Sequence, residues 1–174
     1  THEGEEILIS KLHKNIKKKQ KKLLTIIIPR HIYRVKKIIG DLNKNKLTVV
    51  RHSSNANLQK KTDIYLVDTY GEASRFYNLT NVCFMGGSII NHGGQNPLEP
   101  ARLGNYIING PNIKNFREVY KFLNKNNMSE TTSNINKIQK IIERKLNKKI
   151  SNQNKNKIFK IGEKILNENM NYIN

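Results

Sequence analysis

The chain has no tryptophan, one cysteine, four prolines and no apolar run long enough to cross a bilayer. Each shortage excludes something. A lone Cys83 has no disulfide partner and reads as a small apolar residue inside a strand, in keeping with a reducing compartment. The longest apolar run, residues 23–28, is a strand's length, against roughly 20 residues for a spanning helix. The opening Thr1-His2-Glu3-Gly4-Glu5-Glu6 is acidic where a signal peptide is basic. Acidic side chains are scarce as well: 13 Asp and Glu face 32 Lys and Arg, a formal charge of +19 on 174 residues. Such an excess draws phosphate-rich partners, nucleic acid or an anionic membrane surface. The lysine runs at 14–22 and 145–157 lack the interleaved aromatics on which bases stack, so nucleic acid is not the expected partner, whereas an anionic membrane is compatible. No two of the five histidines stand at i, i+4 spacing, and with one cysteine beside them no metal and no cofactor is expected.

What is present is an alternation. Leu8, Ile9, Leu12 and Ile16 recur at helical spacing, and residues 23–28 follow as a continuous buried strand closed by Pro29. Val35, Ile38, Ile39 and Leu42 mark a second helix; residues 47–50 and 64–67 read as strands. A helix over 71–79 leads to a strand at 82–85, a helix beginning near Pro97 to one at 106–108, and residues 115–123 supply a further helix. Short apolar strands separated by helices predict a parallel sheet, since parallel neighbours need crossover connections; the expected fold is a doubly wound, Rossmann-like α/β domain with a single core over residues 1–125. Residues 126–134 carry loop chemistry. Beyond them Ile135, Ile138, Ile141, Ile142, Leu146 and Ile150, then Ile158, Ile161, Ile165 and Leu166, predict extra C-terminal helices over 126–174 packing on that domain. The chain opens directly in a loop and helix, from which we expect a strand ahead of Thr1 and hence a domain of a larger protein.

In an open parallel sheet the ligand lies beyond the carboxyl ends of the strands. The loops there are residues 1–6, 29–31, 51–54, 68–72 and 86–100, and they hold nearly every unusual residue of the chain. Glycines 86, 87, 93 and 94 let backbone approach a phosphate, helix N-termini favour anions, and Arg30 and Arg51 can fork onto phosphate oxygens. Glu72 and Glu99 can accept bonds from sugar hydroxyls, while Glu5 and Glu6 read as caps of the first helix. The expected ligand is therefore phosphorylated. The glycines match neither the Walker pattern nor G-x-G-x-x-G, and Ser88 lacks the surroundings of a nucleophile elbow.

"THEGEE", "PRH", "DTYGE", "FMGGSIINHGGQNPLEPA" and "NGPNIKNF" resemble, in order and spacing over residues 1 to about 125, the carboxyl-terminal half of the Kdo (3-deoxy-D-manno-octulosonic acid) transferases of lipopolysaccharide synthesis. The resemblance implies the second domain of a GT-B glycosyltransferase, holding CMP-Kdo and facing an amino-terminal domain across a cleft. It implies that Pro29, Arg30, Gly71, Glu72 and Ala73 line CMP, that Asn96, Pro97, Leu98 and Glu99 hold ribose and phosphate, and that Gly87, Ser88, Gly94, Gln95 and Glu3 reach the donor phosphate or the Kdo carboxylate. It further implies inverting, metal-free transfer to the lipid A precursor at the cytoplasmic face of the bacterial inner membrane. The catalytic base, a glutamate, lies in the amino-terminal domain, so this chain alone is expected to be inactive. The pattern departs at Gln95, where the family has His, at Ile32-Tyr33, where Pro-Glu is common, and at Ala73, where a larger apolar residue is usual. Two other readings remain open at this stage: a catalytically silent basic module on membrane or nucleic acid, and another GT-B nucleotide-sugar enzyme using UDP.

Overall fold

The apolar runs become six short strands, all paired in parallel. In the computed structural model, which describes residues 1–148 together with Asn156, Ile158 and Phe159, they form two three-stranded sheets. β1 (Thr25–Ile27), β2 (Val49–Arg51) and β3 (Ile64–Leu66) run in the order β1-β3-β2; β4 (Val82–Met85), β5 (Tyr106–Asn109) and β6 (Ser129–Thr131) run in the order β4-β5-β6. α1 (Glu5–Lys17) precedes β1; α2 (Val35–Lys44) joins β1 to β2, α3 (Ala73–Tyr77) β3 to β4, α4 (Leu98–Arg102) β4 to β5 and α5 (Arg117–Lys125) β5 to β6; α6 (Ile135–Lys145) follows β6. This is the doubly wound α/β class that the alternation predicts, divided into two sheets.

Side-chain periodicity explains which face each helix buries. Val35, Ile38 and Leu42 line one side of α2 and pack with Ile27, Ile64 and Leu66 of the first sheet. Tyr120 and Leu123 of α5 meet Met85 and Ile107 of the second sheet, and Ile138 and Ile141 of α6 meet Leu12 and Ile108. The expected single core is thus three adjoining clusters. α1 packs against both α2 and α6, which places it across both sheets. Asn134 starts α6 by accepting the N–H groups of Asn136 and Lys137, the bond an N-cap side chain makes.

Thr1 lies where the sheets adjoin. Its nitrogen donates to Ile28 O (2.8 Å) and its carbonyl accepts from Arg30 N (3.1 Å), the alternating pattern of a parallel ladder. On its other side a Cβ at Gly86 would lie 2.9 Å from the Thr1 Cα.

The loop expected over 126–134 contains β6. Its sequence, Ser-Glu-Thr, shows no apolar alternation, and its strand form comes from pairing with the fully buried β5 and from Met128 beside it, which has no exposed surface. Of the predicted C-terminal stripe, Ile135 to Ile142 fall in α6 and Ile158 joins the cluster around Met85; Ile150, Ile161, Ile165 and Leu166 lie outside the described residues. α3 and α4 are five residues each, shorter than the sequence suggests. Among the described residues no helix is long and apolar enough to cross a membrane.

Gly110, just after β5, shows how tightly the ends of β4 and β5 meet: a Cβ there would sit 2.3 Å from Ser88 O and 2.6 Å from its carbonyl carbon. Gly110→Ala is therefore expected to cost about 1–3 kcal/mol through overpacking. Gly40, inside α2 with open space around its Cβ position, gives the opposite expectation: Gly40→Ala should stabilise by roughly 0.5–1 kcal/mol. Urea midpoints of the two variants check both signs.

Candidate functional site

The rim is organised from the first turn of α1. Glu5 is 2% exposed, and its carboxylate accepts the His2 N–H (2.9 Å) and, through both oxygens, the Gly87 N–H (2.9 and 3.0 Å). The bond to His2 joins the loop ahead of α1 to its first turn, and no side chain caps a helical N–H at the Gly4 N-cap, so of the expected capping role only the favourable charge at the helix N-terminus remains; the bond onward to Gly87 is not visible in sequence. Glu6, 4% exposed, takes both its bonds of 3.0 Å from one Arg34 nitrogen and a further one from the Thr1 hydroxyl (2.7 Å). Two carboxylates placed at a helix N-terminus, where the dipole favours them, thus tie the loops after β1 and β4 to α1.

Three histidines meet as a result. The His2 ring lies 3.9 Å from that of His92 and 6.0 Å, edge-on, from that of His31, which stacks at 5.4 Å on Tyr33. His2 Nε2 and Gln95 Nε2 are 2.9 Å apart. This pair joins the Gln95 amide to the His2 ring, with the donor set by the tautomer of that ring. Burial, reinforced by His92 and then by the other nearby cationic groups, brings the His2 pKa down to about 4. Each histidine sits on a different rim loop, which is the signal that sequence offered; sequence reading weighed them only as metal ligands.

A second group stands over the first sheet. His52 Nδ1 is 2.8 Å from the Tyr65 hydroxyl and its Nε2 is 2.6 Å from Glu72, whose carboxylate also accepts from Thr69 (2.7 Å) and Arg75 (2.7 Å). The Thr69 bond is the foremost reason that the Glu72 pKa is lowered. Burial acts to raise the pKa of Asp68, yet bonds from the Ser53 hydroxyl and amide prevail and hold it low; Arg51 stands 3.9 Å away. Glu72 and Arg51 therefore already have protein partners.

Other rim residues keep their polar groups free among the described residues. Pro29 is buried and turns the chain; Arg30 is exposed, with only its backbone N–H engaged, on Thr1. Gly71 adopts φ +82° in open space, and Ala73 opens α3. Asn96 Oδ1 accepts from Leu98 N (3.0 Å), leaving its NH₂ outward; Pro97 precedes α4 and Leu98 starts it. Glu99, in the first turn of α4, is exposed and takes no hydrogen bond. α3 and α4 touch, and Asn105 just after α4 donates to Tyr77 O at the end of α3 (2.8 Å). Exposed Tyr33 (81%) and Tyr70 (73%) add two flat rings that sequence reading passed over.

Several residues expected at the donor are engaged by the protein itself. Ser88 has no exposed surface; its hydroxyl donates to Met85 O and accepts from Gly110 N (2.8 Å), so it braces the turn and does not reach a ligand. The amides of Gly87 and Gly94 are taken by Glu5 and by Gly87 O (2.9 Å). Glu3 pairs with Lys37. Helices of five residues have little dipole, so α3 and α4 offer side chains more than a helix field at their starts. Beside the glycine loop a cavity of about 180 Å³ opens between Gly93, Asn112, Lys114 and Arg117. Burial pushes the Cys83 thiol up to about 12, which keeps it an inert apolar group.

No protein-family model matches the chain. The 3-deoxy-D-manno-octulosonic acid transferase of Haemophilus influenzae is 33% identical over 154 residues, 88% of this chain and 36% of that protein; the enzyme of the same name from Rickettsia felis is 36% identical over 121 residues, 70% of this chain and 26% of that protein. The chain thus spans about a third or less of the length of these curated relatives. Among solved structures, the C-terminal CMP-Kdo binding domain of WaaA from Acinetobacter baumannii matches with a TM-score of 0.76 and 30% identity, over 81% of this chain and 74% of that one.

The histidine cluster makes stability depend on pH. His2 holds a folded pKa of about 4 against 6.5 when free, so between these values the unfolded chain takes up a proton that the folded one refuses. Stability is present above pH 6.5 and is lost as the pH falls towards 4. His13, also lowered by burial, adds in the same direction. The fall in Tm from pH 7.5 to pH 4.5 is expected to be smaller in His2→Asn than in the native chain; equal falls would remove His2 as the source.

Proposed function

This chain belongs to the Kdo transferase family, matching its carboxyl-terminal domain, and on that premise we propose that it is the donor-binding half of an enzyme that transfers Kdo from CMP-Kdo to the lipid A precursor, inverting the anomeric carbon without a metal ion. The observation that supports the reading best is that Arg30, Asn96 and Glu99, in the segments that follow β1 and β4, keep a guanidinium, an amide NH₂ and a carboxylate that no partner occupies among the described residues. Pro29 and Arg30 take the phosphate of CMP, Gly71 and Ala73 let the nucleotide lie close to backbone, and Glu99 accepts the ribose hydroxyls. The Asn96 amide and the Pro97-Leu98 turn frame the sugar from below. Glu72, anchored by His52 and Arg75, shapes the wall. Gln95 lies against the buried His2 on the donor's sugar side.

Transfer breaks the bond between the anomeric carbon and a phosphate oxygen and forms one to an acceptor oxygen. CMP leaves with an added negative charge, and a fixed guanidinium at that oxygen lowers the barrier. The acceptor hydroxyl must lose its proton. Glu3 is ion-paired with Lys37 and Glu72 with Arg75, which makes both weak bases, and Glu99 is engaged by the ribose. In the family pattern the base is a glutamate of an amino-terminal domain across the cleft, and the acceptor lipid places the assembled enzyme at the cytoplasmic face of the inner membrane.

Calorimetry with CMP beside UMP tests the donor assignment. CMP is expected to bind more tightly, with Arg30→Ala weakening it about tenfold or more through loss of a charge-assisted contact and Glu99→Gln weakening it less. Equal affinity for the two nucleotides points to a different donor, and no affinity for either defeats the reading. Purified residues 1–174 mixed with CMP-Kdo and lipid acceptor are expected to show no turnover.

A further inference from the structure

The cavity of about 180 Å³ beside the glycine loop opens where the chain leaves the carboxyl ends of β4 and β5; Asn91, Gly93, Asn112, Lys114 and Arg117 line it, and no acidic residue does. Its two walls are tied together through backbone. Asn112 donates its N–H to Ser88 O (2.9 Å) and its side-chain NH₂ to Ile89 O (2.8 Å), and the Asn115 N–H donates to Gly93 O (3.1 Å). Gly93 stands at φ +91°, and a Cβ there would lie 2.6 Å from the Asn115 amide nitrogen, so the loop closes on this wall only with glycine at that position.

Lys114, in the turn that leads into α5, and Arg117, three residues on and hence on the same side, bring two positive charges to the cavity. Among the described residues neither has an acidic partner. Cations at a helix start are opposed by its dipole, so the pair does not serve α5 itself. Asn112 Oδ1 is left open by the bond its NH₂ makes to Ile89. The volume lies below the roughly 300–1,000 Å³ of sites for whole small molecules, which suits one group of a larger ligand. A phosphate monoester, at about −1.5 to −2 near neutral pH, matches one lysine and one arginine in charge, and the guanidinium can fork onto two of its oxygens.

We propose that this cavity is a second phosphate subsite, which takes a phosphate monoester carried by the acceptor sugar. CMP brings a single phosphate, and the reading above sets it on Arg30, in the loop after β1; a second phosphate belongs to the other substrate. The same loop that ends in Asn96 and Glu99 begins at Asn91 and Gly93, so nucleotide and acceptor would be held by its two ends. The assignment to the acceptor rests on that reading, whereas the subsite itself does not.

The test follows the amide NMR signals of the isotope-labelled 174-residue chain during titration with glucose 1-phosphate, inorganic phosphate and glucose, each with and without saturating CMP. Glucose 1-phosphate is expected to move the signals of Gly93, Asn112 and Lys114 with the same affinity whether or not CMP is present. Glucose should move none of them, and inorganic phosphate should bind more weakly, since it has no hydroxyls for Asn112 Oδ1. Lys114→Gln/Arg117→Gln should weaken the sugar phosphate about tenfold or more through loss of charge-assisted contacts. Lys36→Gln/Lys60→Gln, which removes the same charge from exposed positions elsewhere, should leave it unchanged. No shift at these residues, equal losses in the two variants, or displacement of the sugar phosphate by CMP overturns the proposal. Inorganic phosphate binding as tightly as glucose 1-phosphate assigns the cavity to free phosphate and overturns the acceptor source. Both variants are expected to bind CMP as the native chain does, which shows them folded; a native chain without CMP affinity defeats the reading above and leaves the sugar phosphate titration to decide the subsite.

Discussion

Two adjacent carboxylates at the start of α1 hold this fold and its rim together. Glu5 points to the second sheet, where it receives the amide of Gly87, and Glu6 points to the first, where it receives Arg34. Both are almost wholly buried, so neither has water as an alternative partner. A buried carboxylate is stable only while its hydrogen bonds are made, and leaving its partners unmatched is costly. Residues one apart on a helix diverge by about 100°, which is why neighbouring acids can serve two sheets. The consequence is geometric: loops that follow β1 and β4 cannot move independently of α1.

That constraint divides the rim into groups that build the site and groups left to use it. Gly87, Gly94, Ser88, Glu5 and the His52–Glu72 pair spend their hydrogen-bonding capacity on one another. Arg30, Asn96 and Glu99 stand on this framework with polar atoms facing out. A rigid shell behind a few unengaged groups is what a site for a charged nucleotide-sugar requires, since groups already in place need no reorganisation when charge develops. The excess of positive charge is distributed unevenly. Arg30 stands exposed at the carboxyl ends of the strands, while lysines of α1 and of the loop after α2 cluster at the other end.

Much of the fold was legible from one dimension. The runs 23–28, 64–67, 82–85 and 106–108 are short, apolar and rich in β-branched residues, and each became a strand; the 3.6-residue spacing in α2 and α6 marked their buried faces. β6 was not legible, because Ser129, Glu130 and Thr131 carry no pattern of their own and are strand only through β5. In the site, motif residues were found but their duties were not. Ser88 and the glycine amides look available in sequence and are committed in space, and His2, His31 and His92, 29 and 61 residues apart along the chain, reveal nothing of their contact until the loops converge.

The sequence by itself determined the class of fold, the rim on which its unusual residues lie and the family to which the chain belongs, because periodicity and local motifs are written within a few residues. Only the tertiary structure decided which of those residues are free. Hydrogen-bond capacity is used up by partners far away in the chain, Gly87 by Glu5, Ser88 by Gly110 and Glu72 by His52, and burial alone settles whether a side chain meets its neighbours or a ligand.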